Sequence, residues 1–300
     1  MSTLREDVKQ ISRGWRWGRR ALTPHSVPLA KTEPRDFPTA WARTPAARAV
    51  RSAVQRGVME PLMKWETKPH VFGLEILESV REPVVFYANH SSHLDAPMLL
   101  TALPPSWRER TAVGAAADYF FDVWWRAAAT ALFINAFPVE RAGARKSTRL
   151  AREMLAHEWN ILVFPEGTRS HDGWVGEFRS GAARLCVDEG VPAVPIAVRG
   201  TYQAMPRGRS WPAPDRKPVS IRFGKPVTAQ PGENALDLNT RMRGALVRLL
   251  DEDRTTWWDA IRRDARDETP DGAGPDAAPW RRVWEASRPI PRTDRPKAWR

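Results

Sequence analysis

The chain alternates short apolar runs with segments of helical spacing. Val84–Tyr87, Ile161–Phe164, Val194–Val198 and Val219–Phe223 are brief apolar runs that read as strands. Between them, Ala96–Ala102 reads as a helix, and Ser147–Trp159 places Leu150, Ala151, Met154 and Leu155 on one helical face. Gly181–Val187 reads as a helix stopped by Gly190. Strands separated by helices imply βαβ units. The expected fold is therefore α/β, with a mostly parallel central sheet flanked by helices over residues 70–250.

The flanks differ from this core. Residues 1–20 read as a short basic helix, and the five prolines of 23–45 argue for an extended linker. From Ala46 to Lys64, Val50, Val54, Val58 and Leu62 recur at helical spacing with Arg48, Arg51, Arg56 and Lys64 between them. Residues 1–69 thus form a basic extension with amphipathic helices, suited either to a membrane surface or to covering the core. Residues 115–137 are apolar and aromatic but are broken by Asp118, Asp122 and Arg126, which fits a buried helix pair, a membrane edge or an acyl groove rather than a spanning segment. Residues 251–300 turn polar and read as a loosely ordered tail.

Composition narrows the class. With 42% hydrophobic and 27% charged residues in 300, wholesale disorder and a polytopic membrane protein are excluded. The net charge of +12 calls for an anionic partner, and residues 1–70, with 14 Lys/Arg against 6 Asp/Glu, carry +8 of it. Trp15, Trp17, Trp41 and Trp65 share that basic stretch, where an indole suits a lipid interface or stacks on single-stranded nucleic acid. The single Cys186 excludes an internal disulfide and a multi-cysteine metal site; no metal is expected. Without an apolar leader or a long apolar stretch, a cytoplasmic protein is expected.

Two constellations carry chemistry. Asn89-His90-Ser91-Ser92-His93-Leu94-Asp95 follows one strand and precedes a helix, the place where open α/β sheets bind ligands. A carboxylate five residues after His90 can return to one ring nitrogen and leave the other to take a proton from a substrate hydroxyl, a general-base dyad. Ser92-x-x-Asp95 is equally a capping box, and Ser91 or Ser92 could act as a histidine-served nucleophile, although no nucleophile elbow surrounds them. His93 reads as structural. In Phe164-Pro165-Glu166-Gly167-Thr168-Arg169-Ser170, Pro165 ends a strand, Gly167 permits a sharp turn, and Thr168 and Arg169 offer a hydroxyl and a guanidinium to a phosphate. Glu166 could bind an acceptor hydroxyl or orient Arg169; the alternative is a tight turn with an exposed ion pair.

Together, Asn-His-x-Ser-x-x-Asp and Phe-Pro-Glu-Gly-Thr-Arg-Ser, about seventy residues apart, resemble the glycerolipid acyltransferase family, typified by 1-acylglycerol-3-phosphate acyltransferases. Phe133–Arg141 resembles the family's second block and Val191–Pro195 its fourth. The resemblance covers about residues 70–230. It implies acyl transfer from acyl-CoA or an acyl carrier protein, as co-substrate rather than cofactor, to the free hydroxyl of a lysophospholipid. 1-Acylglycerol-3-phosphate is the implied acceptor, with lyso-ornithine lipid or another lysophospholipid as alternatives. His90 would be the base and Asp95 its orienting partner. Arg141, Glu166, Gly167, Thr168 and Arg169 would hold the acceptor, with Asn89 and Ser92 in support and Pro192 and Pro195 shaping the acyl-donor side. Phe178-Arg179-Ser180-Gly181 would brace the loop. Ala142 follows Arg141 where the family often has Gly, so the second block is only partly matched. Peripheral attachment to an anionic membrane, on its cytoplasmic face, is expected in place of a hydrophobic anchor, and no nucleic acid is expected; oligomeric state is left open. The competing class is a non-enzymatic binder of anionic lipid or nucleic acid that uses the basic extension alone.

Overall fold

The computed structural model describes residues 37–140 and 145–287. The expected helix at 1–20, most of the Pro-rich linker and Arg141 lie outside these residues. After a 3-10 turn at Ala40–Arg43 come α1 (Pro45–Val54), a π-helical turn at Gln55–Met59, α2 (Glu60–Glu66) and β1 (Lys68–Phe72). The core continues through β2 (Val85–Ala88), α3 (Asp95–Ala102), α4 (Pro105–Glu109), β3 (Thr111–Ala116), α5 (Ala117–Phe120), α6 (Trp124–Ile134) and β4 (Ala136–Val139). Then follow α7 (Arg145–Ala156), β5 (Asn160–Val163), α8 (Gly181–Glu189), β6 (Ala193–Arg199), α9 (Thr201–Ala204) and β7 (Pro218–Phe223). α10 (Ala235–Arg254), α11 (Trp257–Asp264) and α12 (Pro279–Ala286) complete the described residues.

The seven strands lie in the order β1-β7-β6-β2-β5-β3-β4. β2 through β6 run parallel; β7 is antiparallel to β6, and β1 is parallel to β7. Because helices cover both faces, every residue of β2 is buried, which is why it reads as an uninterrupted apolar run. Phe86, Leu162, Val194 and Ile196 point to one core with Met98 and Leu99 of α3. Val85, Tyr87, Ile161 and Ala197 point to the other, with Met154 of α7, Cys186 of α8 and Met242 of α10.

Three segments depart from the sequence expectations. Residues 115–137 are not a helix pair alone: they hold the end of β3, α5, α6 and the start of β4. The Ala-rich run of β3 has little strand propensity and is a strand because β5 and β4 flank it. The helical run 45–66 turns only part of its expected face outward, with Val50 49% and Val58 59% exposed, whereas Leu62 packs against the core. Inward it buries Ala47, Arg51, Gln55 and Met63, with Arg51 Nη1 donating to Ala42 O and Gln55 Nε2 to Phe133 O. The segment after Asp251 is not loosely ordered through residue 287. α10 runs past it, Thr256 caps α11, and Arg263 reaches back to Asp251 at 2.7 Å.

The sheet's carboxyl ends are tied to the turns that follow. Asn89 donates to Val198 O and accepts from Val198 N, both at 2.8 Å, which splices the end of β2 to β6. Gly200 leaves β6 with φ +95°, and a Cβ there would lie 2.1 Å from Pro218 O. Gly200→Ala should therefore lower the unfolding free energy by about 2–4 kcal/mol, read by urea denaturation. An unchanged midpoint would show that the turn tolerates a side chain.

Candidate active site

The first seven-residue constellation lies at the carboxyl end of β2, next to β5 and β6 in the middle of the sheet. His90 Nδ1 donates to Asp95 Oδ2 at 2.8 Å, and the same oxygen accepts from Ser91 N at 2.7 Å and Ser92 N at 2.8 Å. Asp95 thus orients the imidazole and reaches back to the amides of the turn, but the expected capping box is only half made: the N-cap is Leu94 without a side-chain cap, and Asp95 N donates to Ser92 O rather than to the Ser92 hydroxyl. Asp95 is fully buried, whereas the His90 side chain keeps 20% of its exposure and faces a cavity. With Nδ1 committed to the carboxylate, Nε2 is the nitrogen left to accept a proton.

The second block lies after β5. Gly167 adopts φ +68° and its N–H donates to Phe164 O at 3.0 Å, closing the turn. Phe164 stacks on the His90 ring with centroids 4.1 Å apart. Arg179 N donates to Pro165 O at 2.9 Å, and a Cβ on Gly167 would meet Arg179 Nε at 2.8 Å, so the Phe178–Gly181 stretch packs closely on this loop.

Glu166 corrects the expectation that it holds the acceptor. It is 7% exposed and does not line the cavity; Oε1 accepts from His90 N at 2.7 Å and Oε2 from Gly176 N at 2.8 Å. Both oxygens are spent on joining the two blocks. Pro192 and Pro195 are corrected too. They lie in and before β6, where Pro192 O accepts from Val85 N and Pro195 sits opposite Tyr87, and neither borders the cavity. Asn89 supports the turn through β6, and Ser92 does so by donating to Met205 O and accepting from Leu94 N. Ser91 Oγ lies 3.0 Å from Thr201 Oγ1, and both serines are buried away from the cavity, which removes the geometry a serine nucleophile needs.

The cavity has a volume of about 1650 Å³. It is lined by His90 together with Thr168, Arg169, Arg179, Arg207 and Arg209, four guanidinium groups suited to a phosphate. Met59, Pro97, Val113, Phe120, Phe133 and Ile134 contribute apolar lining to the same cavity. His93 also lines it. Its Nε2 lies 3.2 Å from Tyr119 OH, the rings stack, and burial pushes its pKa down to about 4, so it is neutral at pH 7. Sequence reasoning did not single out Tyr119, Arg207 and Arg209; the basic pair around Gly208 was the available signal for the last two.

Burial pushes the Glu166 carboxyl up to about 7, against the two amide donors that favour its charged form. Its ordinary value is 4.5. The folded protein therefore holds a proton that the unfolded chain has released, and the stability this gives is full below pH 4.5 and lost as the pH rises through 7. Urea unfolding of wild type and Glu166→Gln from about pH 4 to 8 should show wild type losing about 3 kcal/mol relative to the variant. Parallel stability curves would contradict it.

The family model described as Acyltransferase matches residues 68–199, which contain both blocks. A chloroplastic 1-acyl-sn-glycerol-3-phosphate acyltransferase of Brassica napus is 33% identical over 144 residues, 47% of this chain and 40% of the relative. A 1-acyl-sn-glycerol-3-phosphate acyltransferase of Chlamydomonas reinhardtii is 30% identical over 186 residues, 61% of this chain and 53% of the relative. The chain therefore spans about half or less of these relatives' own length. The crystal structure of the 1-acyl-sn-glycerophosphate acyltransferase PlsC from Thermotoga maritima shares the fold, with a TM-score of 0.54 at 24% identity over 72% of this chain and 88% of that one.

Proposed function

We propose, for a chain that belongs to the glycerolipid acyltransferase family, the transfer of a fatty acyl group from acyl-CoA or an acyl carrier protein to the free hydroxyl of a lysophospholipid. 1-Acylglycerol-3-phosphate is the acceptor favoured by the names of the relatives, and phosphatidic acid the product. The observation that carries the reading is the oriented His90–Asp95 pair facing a cavity lined by both guanidinium groups and apolar side chains.

In this mechanism His90 Nε2 takes the hydroxyl proton as the acceptor oxygen attacks the thioester carbonyl. The tetrahedral intermediate collapses with cleavage of the C–S bond, and the imidazolium returns its proton to the departing thiolate. Asp95 stabilises the imidazolium while it exists. Thr168 and Arg169, with Arg207 and Arg209, meet the acceptor phosphate, and the apolar lining takes an acyl chain.

The partner surface is an anionic membrane, and the site of action its cytoplasmic face. Among the described residues no helix is long and apolar enough to cross a bilayer. What supports peripheral attachment is the outward face of the run 45–66, where Val50, Val58 and Trp65 are exposed, beside the exposed Trp124 and Phe133 of α6. Each near-surface cation of the basic extension adds about 1 kcal/mol of attraction to anionic lipid.

Purified protein with vesicles, 1-acylglycerol-3-phosphate and acyl-CoA or acylated carrier protein should form phosphatidic acid, and His90→Ala should lower turnover by about 10²–10⁴-fold. Comparable turnover in His90→Ala would refute the base assignment; transfer only to another lysolipid would refute the acceptor. Sedimentation with anionic vesicles should weaken as salt is raised and fall in Trp65→Ala. Salt-insensitive binding, or a preference for single-stranded nucleic acid, would refute the membrane assignment.

A further inference from the structure

His90 is held by its backbone from two directions. Its N–H donates to Glu166 Oε1 at 2.7 Å, and its carbonyl accepts from Ser170 N at 2.7 Å. Ser170 leads into a loop whose hydrogen bonds run on to α12, the last helix among the described residues. Ser170 Oγ accepts from Gly173 N at 2.9 Å and donates to Asp172 Oδ1 at 3.1 Å. Asp172 Oδ2 accepts from Arg282 Nε at 2.7 Å. The same guanidinium donates through its two other nitrogens to Pro275 O and Ala273 O, both at 2.7 Å.

Further bonds cross the same seam. Trp174 Nε1 donates to Arg282 O at 2.9 Å, and Val175 N donates to Gly272 O at 3.1 Å. Gly173 has φ +85°, and a Cβ there would lie 2.9 Å from Ala286 Cβ, so the loop and α12 approach as closely as glycine allows. The Arg282 and Asp172 side chains are only 26% and 25% exposed. One planar guanidinium that bonds a carboxylate and two carbonyls fixes all three in one geometry, which a point-charged ammonium does not. The loop's other end returns through Gly176 N to Glu166 Oε2, so 170–176 is closed between the site and the C-terminal segment.

We propose that Arg282, which lies outside the matched acyltransferase region 68–199, is a positioning residue for the transfer. Through Asp172 and Ser170 it holds the backbone of His90 in register with Asp95 and the cavity. This rests on the reading of His90 as the base. An offset of about 1 Å in a reacting group can cost 10²-fold in rate even when its cause is remote, so the clamp matters to turnover beyond its share of stability.

The test uses the full chain as wild type, Arg282→Ala, Arg282→Lys and, as a control, Arg263→Ala, which removes a different C-terminal ion pair at Asp251. Arg282→Ala should lower kcat by about 10- to 100-fold with KM for donor and acceptor little changed. Arg282→Lys should recover part of the loss, and Arg263→Ala should keep wild-type kcat. In histidine-labelled protein the His90 ring signals should move in Arg282→Ala while those of His157, directly after α7 and bonded to Glu153 O, hold. Wild-type kcat in Arg282→Ala, or unmoved His90 signals in the folded variant, would overturn the proposal. If Arg282→Ala does not fold, Arg282→Lys carries both readouts with the same signs. A wild type that transfers no acyl group would refute the function instead, and the His90 signals would still decide the clamp.

Discussion

Asp95 Oδ2, a fully buried carboxylate oxygen, accepts from the imidazole of His90 and from the amides of Ser91 and Ser92. Three donors on one desolvated acceptor fix the turn and the ring together, since releasing any of them strands a buried polar group at about 1–3 kcal/mol. The rest of the site is arranged around that point. Asn89 ties the turn to β6, Phe164 lies against the ring, and Glu166 binds the turn's own backbone from the neighbouring loop. His90 is therefore positioned by groups from three separate stretches of chain: its own turn, the Phe164–Glu166 loop and β6. None of them needs to touch the substrate.

That economy explains where charge sits. The carboxylates near His90 are turned inward onto donors: Asp95 onto the turn, Glu166 onto His90 and Gly176. The guanidinium groups of Arg169, Arg179, Arg207 and Arg209 border the cavity. Four guanidinium groups thus line the cavity, which suits an anionic ligand, while the buried Asp95 carboxylate is shielded behind the turn. The parallel order of β2 through β6 puts the carboxyl ends of β2 and β5 side by side, which brings two sequence blocks some seventy residues apart into contact.

The legible parts of the sequence were those with short-range rules. β2, β5, β6 and β7 showed as apolar runs, α8 ended where Gly190 takes a left-handed conformation, and the His90–Asp95 spacing belonged to one turn. β3 was hidden because alanine and glycine give no strand signal, β4 because it is four residues long and contains Pro138, and the buried face of 45–66 because its inward residues include Arg51 and Gln55. Their partners are the carbonyls of Ala42 and Phe133, and Phe133 is distant in sequence from Gln55. Glu166 was misjudged for a related reason. A glutamate in a phosphate-binding loop looks like a substrate ligand until its two amide partners are known. The C-terminal helices failed on composition, since the polar residues after Asp251 read as a loose tail, whereas Arg282 pairs with Asp172 more than a hundred positions away.

The central claim is that Asp95 acts on the reaction through His90. A double-mutant cycle on kcat/KM, with His90→Ala, Asp95→Asn and both together, tests it most directly. The account predicts that Asp95→Asn is strongly damaging in wild type and costs almost nothing further once His90 is alanine. Equal losses in the two backgrounds would show that Asp95 works independently of His90 and would contradict the dyad.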